Sequence, residues 1–263
     1  MKKPSVETQL AIRTAKAAGK ILMGGFGGEM QIGHKHRETN LVTEYDHKAE
    51  DFILGRIRKA FPGHRFLAEE SGLSGGGDSP IWLVDPLDGT TNFAHGLPVF
   101  SVSIALREGG RIVSGVVYDP TRRECFWAER GKGAFCNEMR LHVSAVAELG
   151  RSLLVTGFPY DTWTNPVNNL NHFNRFSVRS HGVRRLGSAA LDLAYIAAGR
   201  LDGYWEMRLS PWDVAAGGLI AEEAGGKVTA MDGESDYLSD SPSIIAANPA
   251  LHAKMVEVIL GGE

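Results

Sequence analysis

An apolar run at residues 81–84 leads straight into Asp85 and Asp88, three residues apart, and then into Gly89, Thr90 and Thr91. Pro86 has no backbone donor, so the strand is expected to end there, with both carboxylates in a turn at its carboxyl end, where α/β proteins commonly build sites. Gly89 permits close backbone approach, and Thr90 can cap a short helix whose free amides face an anion. Taken alone, Asp85 and Asp88 serve equally well as turn and cap formers. Two further acidic positions alter that balance. Glu69 and Glu70 close another short apolar segment, and in Ser210-Pro211-Trp212-Asp213 an N-cap serine and a first-turn proline place Asp213 at a helix start. There it could simply complement the helix dipole. Together, Glu69, Asp85, Asp88 and Asp213 form a set of hard oxygen ligands suited to Mg²⁺, which takes a few carboxylates plus water and substrate phosphate. Four unneutralised carboxylates in one cleft would repel and raise their own pKa values, and two divalent cations would remove that repulsion.

The elements that must carry these residues follow from periodicity. Apolar positions Val6, Leu10, Ala17 and Ile21 predict an amphipathic helix over 4–23, and Ala49, Phe52, Ile53, Ile57 and Ala60 predict a second over 47–61, capped by Asp46. A strand at 65–68 delivers Glu69, a glycine-rich flexible loop fills 71–79, and 81–84 is a buried strand. From Val99 the period changes to two: strands at 99–107, 112–118 and 124–128, with turns at Gly109-Gly110 and Asp119-Pro120, read as an antiparallel meander. Beyond about residue 151 strands and helices alternate: helices at 188–198, 211–224 and 252–260, strands at 202–206, 227–230 and 244–247. Helices over an antiparallel sheet followed by an α/β half suggest an α+β layered sandwich (αβαβα) in two subdomains, 1–150 and 151–263, the first carrying most of the acidic site and the second completing it.

Other features carry less. The chain has 263 residues, 22% charged, with a net charge of -3, which gives no reason to expect nucleic acid or an anionic membrane as main partner; the basic run at 179–185 reads as solvated surface. No run of about seven apolar residues follows Met1-Lys2-Lys3 and no stretch of about 18 could span a bilayer, so neither signal peptide nor membrane span is expected. Cys125 and Cys136 lack CxxC spacing and read as buried or semi-buried free thiols, which suits a reducing cytoplasm. The glycines at 24–28 lack the phosphate-loop pattern and read as a flexible connection. His34, Lys35 and His36 read as a solvated loop, and His95 as a turn-fixing residue.

Longer patterns bear on function. DPLDGTTNFAHG (85–96) and WDVAAGG (212–218) resemble the two signature motifs of the inositol monophosphatase family, and AEES (68–71) and NLVTEYD (40–46) resemble its other marked positions. The likeness continues through GVVYDP, GKGAFCN and VRRLGSAALDLAYIAAGRLDGYWE, almost the whole chain. The resemblance implies the layered fold of fructose-bisphosphatases and inositol monophosphatases. It also implies metal ligation by Glu69, Asp85, the Leu87 carbonyl, Asp88 and Asp213, holding two or three Mg²⁺ ions. The amides of Gly89 and Thr90 would hold the phosphate, with Asp88, Thr91 and Asp213 also facing the substrate. Glu69 and Thr90 would orient and deprotonate the attacking water, and Gly187, Ser188, Ala189 and Glu206 would contact the polyol. Lys35 corresponds to the family's loop lysine. Gly-Ser-Ala stands here where the family more often has Gly-Thr-Ala; the hydroxyl is kept.

The implied activity is Mg²⁺-dependent hydrolysis of inositol monophosphate by a metal-activated water, in a cytoplasmic, lithium-sensitive homodimer that needs neither nucleic acid nor membrane. Within the superfamily the alternatives are a fructose 1,6-bisphosphatase, a dual phosphatase or a histidinol-phosphatase. The 3′-phosphoadenosine nucleotidases usually carry Lys-Glu where Thr91-Asn92 stands. Outside it, the alternative is a non-catalytic regulator that keeps the fold as a binding module.

Overall fold

The computed structural model describes residues 3–35 and 38–261. Helix α1 (Val6–Gly25) is capped by the Ser5 hydroxyl and buries Leu10, Ala11, Ala15, Ala18 and Leu22 along one stripe. It runs through Gly24 and Gly25 rather than stopping before them, because Gly25 packs directly on the Tyr45 ring. A short hairpin, β1 (Ile32–His34) and β2 (Leu41–Thr43), leads into α2 (Glu44–Ala60). Sequence reading missed both strands, which are only three residues each. His36, part of the expected solvated loop, lies outside the described residues; His34 donates from Nδ1 to the Glu38 carbonyl, 2.9 Å away.

The cap of α2 corrects the expectation for Asp46. Thr43 caps the helix, and Asp46 is its third residue, returning a bond to the Thr43 amide in a reciprocal capping box. The eight-stranded sheet then forms from β3 (Arg65–Ala68), β4 (Gly72–Ser74), β5 (Ile81–Asp88), β6 (Ser101–Glu108), β7 (Arg111–Asp119), β8 (Glu124–Glu129), β9 (Gly133–Cys136) and β10 (Met139–Arg140), ordered β10-β9-β8-β7-β6-β5-β3-β4. The 71–79 segment is therefore not all loop, and the meander has two strands more than expected. Strand β5 also persists past Pro86 to Asp88; the proline registers as a pairing shift between Asp85 and Asp88 rather than as an end. A short helix, α3 (Thr90–Ala94), follows at once.

The second sheet has five strands in the order β12-β11-β13-β15-β14: β11 (Leu153–Thr156), β12 (Gly182–Arg184), β13 (Gly203–Glu206), β14 (Lys227–Ala230) and β15 (Ile244–Ala247). Helices α4 (Leu170–Ser177), α5 (Ala189–Ala197), α6 (Pro211–Glu223) and α7 (Pro249–Leu260) alternate with them. Strands β11 and β12 and helix α4 had no counterpart in the sequence reading, and α7 starts three residues before its expected position, at a proline behind the Asn248 cap.

Three hydrophobic cores separate five layers. Helices α1 and α2 cover one face of the large sheet through Leu22, Ile53, Trp82 and Ile104. Helices α5 and α6 fill the space between the two sheets, through Leu193, Leu219, Val117 and Tyr204. Helices α4 and α7 cover the outer face of the small sheet around Trp205 and Met255. This is the expected αβαβα sandwich. It also explains why alternation along β6 marks no solvent face: Ser101, Ser103 and Ala105 are buried under α6 as fully as Val102 and Ile104 are under α1. Both cysteines are buried free thiols, Cys125 on one side of the sheet and Cys136 on the other. Among the described residues no helix is long and apolar enough to cross a membrane.

Candidate active site

Three helix starts and two strand ends meet at one place. Strand β5 ends on Asp85 and Asp88, both buried. The neighbouring parallel strand β3 hands over Glu69, whose amide donates to the Val84 carbonyl (3.1 Å). Gly89 makes the sharp exit from β5 with φ of 100°, a conformation that side chains disfavour, and it is the N-cap of α3. A Cβ there would stand 2.9 Å from the Val99 carbonyl and 3.2 Å from that of Gly187, so this turn and the Gly187 loop lie in contact. Asn92 ties them further, donating to the carbonyls of Val99 (2.8 Å) and Leu186 (2.7 Å).

Asp88 is the hub between the two sheets. Its Oδ2 accepts from Ser188 Oγ (2.6 Å) and from the Ala190 amide (2.8 Å), both at the start of α5. Ser188 is that helix's N-cap and is almost wholly buried. Asp213 is the third residue of α6 and accepts from the Ser210 amide at 2.7 Å. The expected contributions of Ser188 and Asp213 to helix starts are thus both realised, and each start points at the same acids.

The electrostatics reflect the crowding. Burial raises the Asp88 carboxyl to about 6 in spite of the Ser188 and Ala190 bonds. Burial, then the charges of Glu69, Asp88 and Asp213, push Asp85 well above the carboxylate range. Asp213 is raised by the same causes, burial first and Glu69 next. Glu69 is raised by burial, against the opposing effect of Lys35. Lys35 Nζ bridges Glu69 (2.7 Å) and Glu70 (2.5 Å); burial alone would lower its pKa, but the two carboxylates raise it.

Thr90 departs from its expected role. It does not cap α3; it is the first helical residue, buried, and its hydroxyl shares one proton between Asp46 Oδ1 (2.9 Å) and the Leu87 carbonyl (3.0 Å). Asp46 is fully buried, and burial raises its pKa while bonds from Thr43 and Thr90 oppose the shift. Sequence reading treated Asp46 as a cap and missed this contact. The signal was the Thr43-x-x-Asp46 spacing of a capping box, which leaves one oxygen of the acid free to accept from another element.

Glu206 ends β13 and is buried, accepting from Tyr204 Oη at 2.8 Å; burial raises it to about 7, the Tyr204 bond opposing. Of the remaining expected residues, Gly187 is exposed, Ala189 is buried at the first turn of α5, and Thr91 is exposed on α3. His95 closes α3 as its C-cap.

These features decide the comparison with known proteins. Residues 3–260 match the model of the inositol monophosphatase family. The chain belongs to the inositol monophosphatase family. An inositol-1-monophosphatase of Mesorhizobium japonicum is 45% identical over 94% of this chain and 94% of its own. A Nus factor SuhB of Pasteurella multocida is 45% identical over 95% of this chain and 94% of its own. Among solved structures, the extragenic suppressor protein suhB from Bartonella henselae superposes with a TM-score of 0.92 at 42% identity, covering 98% of this chain and all of that one. Membership makes the chain a phosphoric monoester hydrolase of a generally metal-dependent family.

Among the described residues, no group of three or more His, Cys, Asp or Glu side chains is drawn together closely enough to hold a metal ion as it stands. The donor chemistry nevertheless fits a hard divalent cation. Four acids and a carbonyl supply only oxygen, and burial first, then mutual repulsion at Asp85 and Asp213, raises the pKa values of these acids.

Proposed function

We propose that this chain hydrolyses inositol monophosphate to inositol and phosphate with Mg²⁺ as the metal. The observation that carries the reading is the Thr90 hydroxyl, bonded to buried Asp46 beside Asp85, Asp88 and the Leu87 carbonyl. Held by Glu69, Asp85, the Leu87 carbonyl, Asp88 and Asp213, two or three Mg²⁺ ions would supply water activation and charge neutralisation. Everything else falls to the chain. Thr90, donating to Asp46, keeps its lone pairs for a water molecule and so orients it. Glu69 takes that water's proton. The first amides of α3, at Gly89, Thr90 and Thr91, have no intrahelical partner and face the phosphoryl oxygens. Glu206 accepts hydrogen bonds from the polyol, with Gly187, Ser188 and Ala189 beside it, and Lys35 closes the outer side.

The same reading carries a cytoplasmic homodimer inhibited by Li⁺, with no nucleic acid or membrane needed for turnover. It also carries a division at about residue 150, the eight-stranded sheet before it and the five-stranded sheet after. A phosphate-release screen over inositol 1-phosphate, fructose 1,6-bisphosphate, histidinol phosphate and 3′-phosphoadenosine 5′-phosphate tests it. The highest kcat/KM is expected for inositol 1-phosphate; preference for another ester would move the assignment to that substrate. No turnover of any ester with Mg²⁺ would leave a binding module.

A further inference from the structure

The loop of residues 157–169, between β11 and α4, stands against Glu206 and is fastened at its base and along its length. At the base, fully buried Asn169 donates from Nδ2 to Thr156 Oγ1 (2.7 Å) and to the Gly157 carbonyl (2.6 Å), and its Oδ1 accepts from Trp205 Nε1 (2.7 Å). The next residue after Trp205 is Glu206, and its carboxylate fills the space beside Gly157: a Cβ at residue 157 would lie 2.1 Å from Glu206 Oε1. Farther along, buried Asp161 receives a bidentate pair from Arg208, Nη1 to Oδ1 at 2.6 Å and Nη2 to Oδ2 at 2.7 Å. The Asp161 backbone carbonyl accepts from the Thr164 and Asn165 amides, both at 2.9 Å, so the same residue organises the loop's own turn.

Arg208 is an unusual residue for its place. Its φ is 61°, in the left-handed region where a side chain is strained. Glycine would sit there without strain, yet only a long forked cation reaches Asp161 with two parallel bonds. Arg208 lies two residues after Glu206 and five before Asp213, on the segment joining the polyol and metal ends of the site. The loop also touches the segment that follows Lys35, since Thr39 Oγ1 donates to the Tyr160 carbonyl at 3.0 Å.

We propose that Asp161 and Arg208 are a positioning pair that holds loop 157–169 as the specificity wall of the leaving-group pocket, favouring phosphate esters of polyols over esters whose alcohol has no further hydroxyl. The inference rests on the assignment of Glu206 to the polyol. Its physical basis is that Glu206 discriminates between substrates only while water is kept from it. Gly157 covers that carboxylate directly, so drift of the loop admits water where the polyol hydroxyl should bind.

The test compares wild type, Asp161→Asn, Arg208→Gly and the double variant on inositol 1-phosphate and p-nitrophenyl phosphate, with amide hydrogen exchange followed over 157–169. Arg208→Gly relieves the backbone strain while removing the pair, which protects the fold of the variant. The ratio of kcat/KM between the two substrates should fall about fivefold or more in each single variant, through a rise in KM for inositol 1-phosphate. It should fall no further in the double variant, and exchange should accelerate in the loop. A preserved ratio, or a loss carried by kcat on both substrates alike, would overturn the proposal. If wild type shows no preference for inositol 1-phosphate, the polyol assignment fails instead. The pair is then judged by exchange alone, and unchanged exchange in Arg208→Gly overturns it.

Discussion

Thr90 and Glu206 divide the candidate site into a reacting end and a recognition end, and substitutions should separate them. Thr90→Ala removes the hydroxyl that bonds Asp46 and should lower kcat by about 10²-fold, or about 2.7 kcal/mol. Asp46→Asn should lower kcat in the same direction, with no further loss when combined with Thr90→Ala; wild-type kcat in either single variant would reduce the contact to packing. Glu206→Gln weakens bonds to substrate hydroxyls worth roughly 1.5–3 kcal/mol each. It should cost about tenfold in kcat/KM on inositol 1-phosphate and much less on p-nitrophenyl phosphate. Equal losses on both would make Glu206 a support of the metal ligands or of the fold. The acids of this site were legible as residues because each follows a strand or opens a helix in a recognisable pattern. The Asp46–Thr90 contact was legible only at one end: the capping-box spacing leaves an Asp46 oxygen free, but its partner lies 44 residues on, at the start of α3, where no local spacing points to it.

At the scale of elements, Asp213 is only as well placed as α6 is seated. That helix lies so close to β7 that a Cβ on Gly115 would stand 2.8 Å from the Ala216 carbonyl and 3.0 Å from its Cα. Neither is a flexible side-chain end, so Gly115→Ala must shift the helix. The expected cost is roughly 1–3 kcal/mol, which lowers Tm by about 2–4 °C per kcal/mol in a chain of this size. Calorimetric Mg²⁺ affinity should fall with it, although residue 115 touches no proposed ligand; an unchanged Tm and affinity would show that the sheet absorbs the methyl. Helices with clear caps and glycine stops, such as α5 and α6, were readable to within a residue or two. The short strands β1, β2, β10 and β12 were not, since two or three residues carry no period and exist through pairing with distant partners. The second half of β5 is hidden for the opposite reason: proline reads as an end, and the sheet tolerates it as an irregularity.

Across the whole molecule, the five layers bring acids from both sheets to one seam, and that arrangement makes stability depend on pH and metal together. Asp88 is raised from 3.8 to about 6 and Glu206 from 4.5 to about 7. A carboxyl whose folded pKa is raised stabilises fully below its unfolded value, and that contribution is lost as pH climbs through the folded one. Glu129, lowered to about 2, acts in the opposite sense but only below its unfolded value of 4.5, and buried His252, lowered to about 4, opposes the acids up to its unfolded value of 6.5. Between about pH 6.5 and pH 8 the metal-free protein should therefore lose Tm, and Mg²⁺, which binds the ionised carboxylates, should restore more of it at the upper end. A metal-free Tm that rises steadily over that interval would contradict the crowded-acid description. The layered architecture followed from the order of elements along the chain; the seam itself did not, because Asp88 and Ser188 meet across 100 residues. The most direct measurement is phosphate release from inositol 1-phosphate by protein stripped with EDTA, then titrated with Mg²⁺. Activity should be absent in the stripped protein and return as Mg²⁺ is added, whereas full turnover in metal-free buffer would contradict a site built from these carboxylates to work with a divalent cation.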